Sequence, residues 1–65
     1  MDMEALARRV RVFRATHSIT QMDLAARLGI SQSALSLLEN NKPVKQLSPE
    51  KLAQIHKACS GKVVA

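Results

Sequence analysis

Three side chains in this sequence have the chemistry of catalysts or metal ligands: His17, His56 and Cys59. His56 and Cys59 stand three residues apart, so both fall on one side of a helix and could offer two ligands to a metal ion. Cys59, however, continues the apolar spacing of Leu52 and Ile55, and a cysteine on such a stripe reads as a small core residue. His17 is isolated and the acids are scattered. No catalytic constellation forms, and neither enzyme activity nor a metal or cofactor is expected. A second group differs in kind. Gln32, Ser33, Ser36, Leu37 and Asn40 carry neutral hydrogen-bonding groups and one apolar tip. With Leu35 and Leu38 turned inward, a step of about 100° per residue puts Ser33, Ser36, Leu37 and Asn40 on the opposite face of a helix, while Gln32 projects from its start. Such a face binds by donors and acceptors and has no reactive group.

The charge balance says what it would bind. Ten Lys and Arg against five Asp and Glu give a net charge of +5 on 65 residues, which favours a polyanionic partner. Phe13 is the one aromatic residue. Readers of RNA and of single strands stack bases on exposed aromatic rings, whereas a reader of a duplex groove does not need them. Double-stranded DNA is therefore the expected partner, with no small-molecule substrate. In a major groove the Gln32 amide can bond bidentately to adenine N6 and N7, Ser33 and Ser36 can pair permissively, and Leu37 can pack on a thymine methyl. Leu37 has two other readings, a contact to a neighbouring subunit and tolerated surface.

The same bulk properties bound the rest. One domain over residues 1–65 with a single small core is expected. The lone cysteine can form no internal disulfide, which points to a reducing compartment and, by default, the cytoplasm. Arginines follow Asp2 and Glu4 with no apolar leader segment. Nothing approaches the ~18 apolar residues of a membrane span.

Four short polar residues, each flanked by an apolar residue one position before and another four after, mark helix starts. They are Asp2 between Met1 and Leu6, Thr20 between Ile19 and Leu24, Ser31 between Ile30 and Leu35, and Ser48 between Leu47 and Leu52. The pattern predicts an all-α fold. The first helix runs from about Met3 to Ala15, burying Leu6, Val10 and Phe13. The second runs from Gln21 to about Leu28, where Gly29 stops it by adopting the left-handed conformation. The third spans roughly Gln32 to Glu39 and ends in Asn40-Asn41-Lys42-Pro43. The fourth opens on Pro49 and runs to about Cys59, with Leu52, Ile55 and Cys59 inward.

Two short helices joined by the three residues Gly29 to Ser31 form a helix-turn-helix over about 21–40. Leu24, Leu28, Ile30, Leu35 and Leu38 fill its facing positions, and Ala25 is small enough for close approach. The stretch TQMDLAARLGISQSALSLLENNK, Thr20 to Lys42, resembles the Cro and repressor helix-turn-helix family, also called XRE-like. The resemblance implies a compact, lambda-repressor-like domain of four helices, with a possible fifth element, that presents its third helix to the major groove. It implies base contacts at the positions already named. It also implies phosphate contacts from Gln21 at the start of the second helix and from Asn40, Lys42 and Lys45 after the third.

Glu39 is the odd acid. The other four, Asp2, Glu4, Asp23 and Glu50, lie in caps or first turns, where a helix's positive end favours them, whereas Glu39 lies at a negative end. It needs a basic partner, and the resemblance implies Arg14. Among the remaining cations Arg8, Arg9, Arg11, Arg27, Lys51, Lys57 and Lys62, many read as ordinary solvated surface.

A repressor that binds a pseudo-palindromic operator as a homodimer is the expected function. The alternative is an antitoxin or protein-interaction module on the same fold, which usually carries a further segment for its partner, whereas this sequence stops at Ala65. The dimer contact is the least legible feature. Val63 and Val64 have the pattern of a short extended segment, either across a two-fold axis or over the core.

Overall fold

In a computed structural model, which describes residues 2–60, the chain forms α1 (Met3–Thr16), α2 (Gln21–Leu28), α3 (Gln32–Glu39) and α4 (Pro49–Ala58). Among the described residues there is no strand. Each helix opens on the expected cap: the side chains of Asp2, Thr20, Ser31 and Ser48 accept from the backbone N–H of Glu4, Asp23, Ala34 and Lys51, at 3.0–3.1 Å. These caps satisfy donors that the first turn of a helix cannot pair internally, each contributing about 1 kcal/mol.

The first three helices also end alike. A residue with positive φ reverses the chain, its N–H bonds back three residues, and the next N–H bonds back five. After α1 the reversing residue is Ser18 (φ 53°), with Ser18 N to Ala15 O at 3.2 Å and Ile19 N to Arg14 O at 3.0 Å. After α2 it is Gly29 (φ 72°), with Ile30 N to Ala25 O at 3.0 Å. After α3 it is Asn41 (φ 57°), with Lys42 N to Leu37 O at 2.9 Å. Because the reversal after α1 falls at Ser18, that helix continues to Thr16, one residue beyond the expected end.

A Cβ at Gly29 would meet only Lys51 Nζ, at an ordinary 3.5 Å, so the demand for glycine there is one of backbone conformation. Gly29→Ala is expected to destabilise the fold by about 1 kcal/mol. Ser18→Gly, at the equivalent turn, should stabilise it by up to about the same amount. Urea denaturation of the two variants checks both signs.

The core consists of Leu6, Val10, Ile19, Leu24, Ala25, Leu35, Leu38, Ile55 and Cys59. It sits where α3 packs against both α1 and α2, and α4 packs against α1 and adds Ile55 to the same cluster. Four residues expected to face inward, Phe13, Leu28, Ile30 and Leu52, are only half-buried. They pack on the rim of the cluster, and the Phe13 ring lies 4.4 Å from that of the exposed His17. Ala7 and Ala34, which were not expected inside, are buried. The expected segment at Val63 and Val64 lies outside the described residues.

Candidate nucleic-acid interface

The turn Gly29–Ser31 and the Ser31 cap set where α3 begins, and the inward face of α3 sets what it leaves outside. Ala34, Leu35, Leu38 and Glu39 are buried. Gln32, Ser33 and Asn40 are exposed, and Ser36 and Leu37 are half-buried between the two faces. Thus the side chains with neutral donors and acceptors share one outer edge of a helix of eight residues, about 12 Å long at 1.5 Å per residue. That length is close to the major-groove width of about 12 Å.

At the far end of this edge the Asn40 Nδ2 donates to Ser36 O at 2.8 Å, so the amide caps its own helix. The Lys42 side chain leaves from backbone held by the bond to Leu37 O, and both Lys42 and Lys45 are exposed. Gln21, at the first position of α2, is half-buried, and its Nε2 donates to Glu39 Oε1 at 3.2 Å. The start of α2 and the end of α3 therefore meet at Glu39.

Glu39 is 4% exposed and is held by two helices. Arg14 grips it with a fork: Nε to Oε2 at 2.8 Å and Nη2 to Oε1 at 3.1 Å. The third guanidinium nitrogen, Nη1, reaches Ile19 O at 3.4 Å. The hydrogen bonds to Glu39 push the Arg14 pKa above its already high ordinary value, so this cation stays charged at any pH the protein meets. A buried carboxylate is tolerated because its charge is matched and its oxygens are bonded.

Reasoning from sequence missed one member of this cluster. Arg11 donates from Nη1 to the backbone oxygen of Glu39, at the end of α3 where carbonyls lack partners within the helix. Its spacing of three from Arg14 puts both on one side of α1, a signal that the sequence did contain. Of the reactive candidates, His17 and Cys59 line one cavity beside α1. Cys59 is buried in the core, and its burial pushes the thiol pKa up. Among the described residues no group of three or more His, Cys, Asp or Glu could hold a metal ion.

A helix-turn-helix family model matches residues 10–62, which covers the two motif helices, the cluster around Glu39 and all of α4. The chain belongs to the Cro/C1-type (XRE) helix-turn-helix family. Comparisons with curated proteins and with solved structures returned no match. As a helix-turn-helix protein of this type it is a DNA-binding transcription regulator. The second helix of that motif is α3, and the polar cluster at its far end ties it to α1 and α2. Among the described residues no helix is long and apolar enough to cross a membrane.

Proposed function

We propose that the protein is a repressor that binds a pseudo-palindromic operator as a homodimer, with α3 of each subunit in the major groove. The observation that carries this reading is the outer edge of α3, where Gln32 and Ser33 stand exposed at the amino end beside half-buried Ser36 and Leu37. In this reading Gln32 is the principal base reader, with its amide on adenine N6 and N7. Ser33 and Ser36 accept or donate as the base allows, and Leu37 lies against a thymine methyl. Gln21, Asn40, Lys42 and Lys45 hold the phosphates and set the register. The Gln21 amide has two N–H donors, so it can serve Glu39 and a phosphate together.

Selection of bound sequences from random duplex DNA tests this directly. The expected motif is a pair of inverted half-sites about one helical turn apart. Gln32→Ala should erase the adenine preference at one position of each half-site, at a loss of about 1–3 kcal/mol in discrimination. An unchanged motif in that variant would remove Gln32 from its role, and enrichment of no motif at all would refute sequence-specific binding.

A further inference from the structure

The carboxyl end of α3 poses an electrostatic difficulty that Arg14 does not solve. A recognition helix in the major groove lies between two phosphate backbones. Its carboxyl end is the negative end of the helix dipole, roughly half a charge, and in this protein it also carries Glu39. Arg14 spends its charge on the carboxylate, and each of its three nitrogens already holds a bond within the protein, Nε and Nη2 to Glu39 and Nη1 to Ile19 O. Arg11 is different. It is exposed, it bonds the main-chain oxygen of Glu39, and neither ion pair among the described residues includes it. Its charge is thus not cancelled by a side chain, and a guanidinium has further N–H donors to give. Lys42 and Lys45 follow in the loop that leaves the same end of the helix.

We propose that Arg11 is a direct contact to the DNA backbone, bridging the last carbonyl of the recognition helix and a phosphate at the edge of the groove. It joins α1 to the DNA interface. This assignment rests on the reading of α3 as the groove helix, but it concerns a separate residue on a separate helix.

The test is a set of anisotropy titrations across a salt series, with the selected duplex and a random-sequence duplex as probes. The proteins are the wild type, Arg11→Met, Arg11→Lys and, as a control from the last turn of α4, Lys57→Met. Arg11→Met should weaken binding to both duplexes by a similar factor and flatten the log–log salt dependence by about 0.9 per bound subunit. Arg11→Lys should keep the wild-type slope, and so should Lys57→Met. Melting curves monitored by circular dichroism should show the variants folded, since an exposed side chain with one hydrogen bond is removed. A purely structural role for Arg11 would leave the slope unchanged in Arg11→Met, and that result overturns the assignment. Equal flattening in Lys57→Met would also overturn it, by reducing the effect to net charge. If the wild type binds neither duplex, the groove reading itself falls, and the Arg11 assignment with it.

Discussion

Arg14→Ala is expected to destabilise the protein by about 3 kcal/mol, and Glu39→Ala by only about 1 kcal/mol, although the two residues form one ion pair. The asymmetry follows from burial. The Glu39 side chain is 5% exposed and that of Arg14 is 30% exposed. Without Arg14 the carboxylate stays inside with the Gln21 amide as its remaining side-chain partner, and an uncompensated buried charge is costly. Without Glu39 the guanidinium can turn towards water, and alanine suits a helix better than glutamate does. The double variant should therefore recover much of what Arg14→Ala loses, so the two effects will not add. Urea denaturation of the four proteins measures the cycle. Equal losses in the two single variants would contradict the burial argument. Since the pair also ties the end of α3 to α1, DNA affinity in Arg14→Ala should fall at least in proportion to the folded fraction.

Leu35→Ala is expected to be of the same size, at about 3 kcal/mol, for an unrelated reason. Leu35 is completely buried on the face of α3 that packs against α1 and α2, four residues after the Ser31 cap. Truncation there loses the transfer energy of the removed carbons and leaves a cavity that three packed helices close only in part. A domain of 65 residues has a total stability of roughly 3–10 kcal/mol, so the loss is a large share of it. The melting temperature should drop by roughly 15 °C. Circular dichroism on heating checks this, and a shift of only a few degrees would mean that the helices had collapsed into the space.

These two variants illustrate how unevenly the molecule could be read from its residues. The inward position of Leu35 was legible because helical periodicity and a cap four residues earlier are local features. The charge on Glu39 was legible as an anomaly for the same reason, since a carboxylate at the wrong end of a helix needs a partner. That the partner is Arg14 came from resemblance to a family. Nothing in the spacing of two residues 25 positions apart states that they meet. Phe13 was expected inside because aromatic residues usually bury large areas, yet on a helix with Leu6, Ala7 and Val10 already buried it reaches only the rim.

The sequence by itself determined where helices begin and end and which edge of α3 stays outside. Caps, reversing residues and helical faces depend on hydrogen bonds and side chains within five positions of one another, so their signals are written in adjacent letters. Tertiary structure alone decided that Arg11 reaches the last carbonyl of α3, that Gln21 shares Glu39 with Arg14, and that Ala7 and Ala34 are buried. Each of these depends on how α1, α2 and α3 pack against one another. That packing is a property of the whole core, which no short stretch of the chain contains.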